Sequence, residues 1–119
     1  MYQKYNFENL EVYQLARDLL KELYNLCLKF PKEEIFVLVS QIKRAGISVV
    51  LNVAEGSIKT KKEFAHFINI ALGSLIEVKT SLIIAKDLGY ITEEEFGQPM
   101  DKIDKVFFKL INLKKYLKK

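Results

Sequence analysis

The chain contains one cysteine, Cys27. A single thiol excludes an intrachain disulfide framework and a CxxC metal site, and it fits a reducing cytoplasm, the expected location. Only two prolines and five glycines occur among the 119 residues, so little interrupts long elements. His66, the one histidine, lies far along the chain from Cys27, which leaves no metal-ligand spacing; His66 reads as a polar packing residue and Cys27 as an inert core residue. No glycine-rich phosphate loop, dinucleotide fingerprint or nucleophile elbow is present. Neither cofactor nor metal is therefore expected, and the chain reads as non-enzymatic. The start, MYQKYNFENLEVY, lacks the apolar stretch of a secretory signal. The longest uncharged run, 64–76, contains His66, Asn69 and Ser74 and falls short of the about 20 mostly apolar residues a membrane span requires. A soluble protein without membrane contact is expected.

Half the residues are apolar and 29% are charged, the balance of a globular chain, and the length suits a single domain over 1–119. Apolar residues recur with a period near 3.6 and without convincing alternation, which predicts four helices. The first, over about 9–30, aligns Leu10, Tyr13, Ala16, Leu20, Leu23, Cys27 and Phe30 and is stopped by Pro31. The second runs over about 33–57, from Glu33 and Glu34 to Gly56. The third, 60–88, opens on Thr60 with Glu63 at capping-box spacing. The fourth follows Thr92, with Gly97 and Pro99 obscuring its start, and aligns Met100, Ile103, Phe107, Leu110 and Leu117. Short connections make sequential helices antiparallel neighbours. The predicted fold is all-α, an up-and-down antiparallel four-helix bundle.

Two helices carry more apolar surface than a lone bundle needs. Between residues 35 and 58 the only charges are Lys43, Arg44 and Glu55; between 64 and 85 they are Glu77 and Lys79. Ile35, Leu38, Ile42, Val49 and Val53 form one core stripe, and Phe64, Phe67, Ala71, Val78 and Leu82 another. Phe36, Ile47, Leu51, Ala54 and Ile58, with Ala65, Leu72, Ile76 and Ile83, fall away from them. A helix apolar nearly all round is a buried helix, so these second faces are the candidate surface for self-assembly. The alternative is scattered surface hydrophobes.

A polar arc crosses the same helices. Gln41, Arg44, Ser48, Asn52 and Glu55 follow helical spacing, as do His66, Gly73, Ser74, Glu77 and Ser81. Antiparallel pairing brings Arg44 level with Ser74 and Glu77, and Asn52 level with His66. An unpaired buried polar group costs about 1–3 kcal/mol, so this seam should pair internally and fix helix register. A ligand site is the alternative.

FENLEVYQLA (7–16), FPKEE (30–34), SQIKRAGIS (40–48), NVAEG (52–56), KEFAHFINIALGSLIE (62–77) and AKDLGYI (85–91) resemble the bacterial four-helix-bundle proteins encoded in intervening sequences of large-subunit ribosomal RNA genes. The motifs fall in order over about 7–91; the fourth helix matches only in amphipathic character. The resemblance implies an up-and-down bundle and a ring-shaped homopentamer. It also implies kinship with the accessory protein of diversity-generating retroelements, a basic pentamer that binds nucleic acid and a reverse transcriptase. Val50 stands where the family often has proline, and Ser57, Ile58 and Lys59 stand where glycine and arginine often follow the NVAEG motif.

The net charge of +4 conceals an axial asymmetry. Up-and-down topology gathers Lys4, Lys59, Lys61, Lys62, Lys114, Lys115, Lys118 and Lys119 at one end, against Glu8, Glu11, Glu55 and Glu63. The other end is net acidic. In a cyclic oligomer with parallel protomers the basic ends would form a ring suited to RNA or DNA phosphates. The alternative for the terminal lysines is compensation of the helix dipole. Two functions stay open: an oligomeric nucleic-acid-binding module that partners a reverse transcriptase, and a purely structural or protein-binding assembly built on the apolar faces of helices 2 and 3.

Overall fold

Hydrogen-bonding side chains set where the last two helices begin. In the computed structural model, which describes residues 5–119, the long helices are α1 (Glu11–Cys27), α2 (Ser40–Ser57), α3 (Lys61–Asp87) and α4 (Glu93–Leu117). Thr60 and Thr92 each close a capping box, with Glu63 and Glu95 as the reciprocal partners. The Glu63 carboxyl is held below its ordinary pKa by hydrogen bonds from the Thr60 hydroxyl and N–H, with Lys59 adding attraction. Glu95 is lowered chiefly by Lys29, then by Thr92. A carboxylate lowered in this way contributes stability above its unfolded pKa and loses it as pH falls through the folded value. The Tm difference between wild type and Glu95→Ala should therefore be present at neutral pH and vanish in acid. Thr60→Ala should cost about 1 kcal/mol, read from chemical denaturation.

The predicted helices differ from the observed ones at two places. The first helix ends at Cys27, not near Phe30, because its last turn tightens into bonds from Leu28, Lys29 and Phe30 N–H to carbonyls three residues back, ahead of the extended Pro31. The second does not start as a regular α-helix. A 3₁₀ turn at Lys32–Glu34 leads into a π-helical turn at Ile35–Val39. The wider π turn holds an extra residue, so the phase slips. Ile35, expected in the core, is 48% exposed, while Leu38 and Val39 are buried. In the fourth helix, Gly97 and Pro99 do not delay the start. Pro99 lies buried in the second turn, where its missing N–H takes the i→i−4 bond away from the Glu95 carbonyl.

Interhelix contacts establish antiparallel neighbours. Lys102–Glu22 and Lys109–Glu11 join α1 to α4 in opposite senses, Lys29–Glu95 joins the turn after α1 to the start of α4, and Lys79–Asp104 and Lys86–Glu93 make α3 and α4 antiparallel. Gln41 bonds Glu77 and Ser74 bonds Ser48 between α2 and α3, the most extensively packed pair. One core runs through all four helices, centred on Leu19, Leu23, Ile42, Ile68, Leu75, Leu82, Ile103 and Leu110. On α1 it turns toward Val12 and Leu19, leaving Tyr13 and Leu20 half-buried. Phe67 is likewise half-buried, and Ala65, expected to face outward, is buried.

Away from the basic end, Tyr90 links the turns. Its hydroxyl donates to Glu34 at 2.9 Å, its ring packs on Phe30, and Glu34 also accepts from the Leu38 N–H. The hydrogen bond to Glu34 and partial burial push the phenol pKa up. Cys27 is buried, and burial pushes its thiol pKa up to about 11, against a small opposing attraction from Lys43. The thiolate is the reactive form, so native protein at pH 8 should take up almost no iodoacetamide, whereas urea-unfolded protein should label fully.

Candidate nucleic-acid interface

The lysines meet because α3 begins where α4 ends. Lys61 and Lys62 form the first turn of α3, Lys114 and Lys115 the last turn of α4, and Lys59 precedes the Thr60 cap. Lys61 Nζ lies 5.8 Å from the centroid of the Tyr116 ring, tying the two ends together. A cleft of about 520 Å³ opens between them, lined by Lys61, Lys62, Ala65, His66, Asn69, Leu117, Lys118 and Lys119. Lys4 lies outside the described residues.

The pairing pattern sets this end apart. Every ion pair among the described residues uses Lys29, Lys79, Lys86, Lys102 or Lys109. Lys59, Lys61, Lys62, Lys114, Lys115, Lys118 and Lys119 have no carboxylate within ion-pair distance among the described residues. Of the nearby acids, Glu11 is engaged by Lys109, and Glu63 is turned back into its capping box. A second cleft of about 590 Å³ lies at the same end, between Tyr5, Asn6, Phe7 and Leu10 on one side and Ser57, Ile58 and Phe64 on the other.

The polar seam forms in part. Gln41 Nε2 donates to Glu77 at 2.9 Å, Arg44 donates to Gln41 Oε1 at 3.1 Å, and the Ser74 hydroxyl donates to Ser48 Oγ at 2.8 Å. Arg44 therefore reaches Glu77 through Gln41, not directly. Asn52 does not meet His66; its amide bonds the carbonyl and hydroxyl of Ser48 one turn back in its own helix. His66 is exposed, stands edge-on to Phe67 and lines the basic cleft. Glu55 is exposed and outside the network. The seam is an outer, half-exposed border between α2 and α3, and it ties their register.

Apolar stripes flank that border. On α2, the π turn before it and the residue that caps it, Phe36 is 91% exposed, Ile58 75% and Leu51 51%, with Ile47 half-buried. On α3, Ile76 and Ile83 are exposed and Leu72 is half-buried. Ile76 and exposed Phe108 line a groove shared with Ile103 and Phe107 of α4. By length and composition α3 is apolar enough to cross a membrane, with a mean hydropathy of 1.6 over its most apolar stretch, yet only 33% of that stretch is buried inside the chain. Its apolar excess thus faces outward, alongside Glu77 and Lys79, charges that are costly at the centre of a bilayer.

Sequence reasoning placed His66 in the seam and gave Asn69 no role. Their signal was available, because Lys62, His66 and Asn69 are spaced four and three apart and so share one face of α3. The Lys61–Tyr116 contact and the Ile76–Phe108 groove had no such local signal.

Among the described residues, no group of three or more His, Cys, Asp or Glu is placed to hold a metal ion. The fold is similar to the crystal structure of a protein with unknown function from the S23 ribosomal protein family of Bacteroides thetaiotaomicron. The TM-score is 0.80 and the identity 24%, over 87% of this chain and 98% of that one. A comparison with curated proteins finds no significant match. The family model for the 23S rRNA-intervening sequence protein matches residues 8–112, nearly the whole bundle, and the chain belongs to that family.

Proposed function

We propose that the chain is a non-enzymatic homo-oligomer, a pentamer, that binds nucleic acid through the lysine-rich ends its assembly gathers. One observation carries the binding: seven lysines from two segments, 59–62 and 114–119, share one end, and none has a carboxylate within ion-pair distance among the described residues. Like charges held together in excess and outside ion pairs attract a polyanion, and release of its condensed counterions supplies the free energy. The exposed stripes on α2 and α3 support the oligomer, since contiguous exposed apolar surface marks interaction sites. The resemblance to the retroelement accessory protein supports the pentameric number and suggests a reverse transcriptase as a protein partner. Binding should be weakly sequence-selective and fall steeply with salt. An electrophoretic mobility shift with RNA and DNA at low salt tests it, and absence of any shift with wild-type protein contradicts it.

The outward apolar excess of α3 also favours a second function, a structural or protein-binding assembly that makes no use of the lysines. Charge reversal at the basic end distinguishes the two.

A further inference from the structure

We propose that the cleft between the start of α3 and the end of α4 accepts an unpaired nucleotide, so that the ligand of the basic end is single-stranded nucleic acid, not a duplex. This proposal rests on the nucleic-acid binding proposed above and specifies its ligand. Three features of the cleft support it. Its size fits: about 520 Å³ lies within the range of small-ligand clefts, roughly 300–1,000 Å³, whereas a duplex offers its phosphates on a convex surface and keeps its base faces stacked inside. Its lining is divided by chemistry. Buried Ala65 and half-buried Leu117 supply apolar surface, and Lys61, Lys62, Lys118 and Lys119 supply cations around it. A nucleotide has the same division, a flat base beside a charged phosphate. The cleft also carries groups that phosphate attraction does not need. The Asn69 amide offers a donor and an acceptor to a base edge, and the exposed His66 ring offers a face for stacking, the means by which single-strand proteins hold unpaired bases. A purely electrostatic surface contains neither.

A preference follows that runs against simple electrostatics. Counterion release is larger per contact for duplex than for single strands, so lysines acting alone favour the duplex. A cleft that takes a base reverses the order.

The test is fluorescence anisotropy at one low salt concentration, with a labelled unstructured RNA strand and the same strand annealed to its complement. Wild type should bind the single strand roughly tenfold more tightly than the duplex, since base stacking is worth about fivefold or more per base. The double variant His66→Ala/Asn69→Ala should lose that advantage and keep its duplex affinity within about twofold. Both positions are exposed, and circular dichroism confirms that the variant is folded. Equal or tighter duplex binding by wild type, or an equal loss for both ligands in the variant, overturns the single-strand proposal and leaves nucleic-acid binding standing. Failure of wild type to bind either ligand overturns both.

Discussion

Simultaneous Lys114→Glu, Lys115→Glu, Lys118→Glu and Lys119→Glu substitution is expected to weaken nucleic-acid binding by at least about a thousandfold while leaving the oligomer intact. Each phosphate contact contributes roughly 0.7–0.9 to the salt exponent. At about 0.1 M salt, the loss of four such contacts therefore removes roughly three powers of ten, before the repulsion of the new carboxylates is counted. The salt dependence should flatten in parallel. A structural side effect is foreseeable, because Lys114 and Lys115 occupy the last turn of α4, where cations favour the helix dipole by about 0.3–1 kcal/mol each. The corresponding glutamine variant separates the effects: it removes the contacts without adding repulsion, and it should still lose most of the affinity. Circular dichroism should show both variants folded. If the glutamate variant binds RNA and DNA as wild type does, the lysines serve only the helix end, and the structural-assembly function is left standing.

Gly56→Ala is expected to destabilise the bundle by about 2 kcal/mol, although alanine is the better helix former. A Cβ at this position would lie 2.7 Å from Phe67 Cβ and 2.8 Å from Phe64 Cδ1. Phe67 Cβ is fixed to the α3 backbone, so α2 and α3 must separate at the turn that joins them. Overpacking of this kind costs about 1–3 kcal/mol and at times more, against a helix-propensity gain of up to about 1 kcal/mol. Gly46→Ala is the control. Its Cβ would meet Leu20 Cδ1 at 2.9 Å and Leu23 Cδ1 at 3.2 Å, the far ends of side chains, with the closer one, Leu20, only half-buried. Rotamer adjustment can absorb that contact, and the net change should be close to zero. Urea denaturation of the two variants measures the contrast. Equal stability of Gly56→Ala and wild type would show that the α2–α3 approach is loose.

Gly56 also shows where legibility from sequence stops. The NVAEG motif and its glycine were visible, but the need for glycine comes from two phenylalanines on the next helix, at a distance only packing determines. The capping boxes at Thr60 and Thr92 are both local; spacing located the first, while Gly97 and Pro99 obscured the second. The gathering of lysines at one end followed from topology, because an even number of antiparallel helices returns the chain to its starting end. The π turn at Ile35–Val39 had no such signal. IFVLV is apolar at every position, so its pattern fits any phase, and the slip that turns Ile35 outward is invisible in it. Ala65 was assigned outward on the helical wheel, yet it is buried at the cleft beside Leu117, a consequence of where α4 ends. Of the expected seam, only Gln41–Glu77 and Ser48–Ser74 pair across α2 and α3, because side-chain reach and rotamer choose among residues that the wheel places level.

The central claim is that the outward apolar stripes of α2 and α3 are covered by further copies of the chain. Multi-angle light scattering on wild-type protein at micromolar concentration tests it most directly. The expected mass is about five times the 13.9 kDa of one chain, and Leu51→Glu should reduce it. A stable monodisperse monomer of 13.9 kDa would contradict the claim.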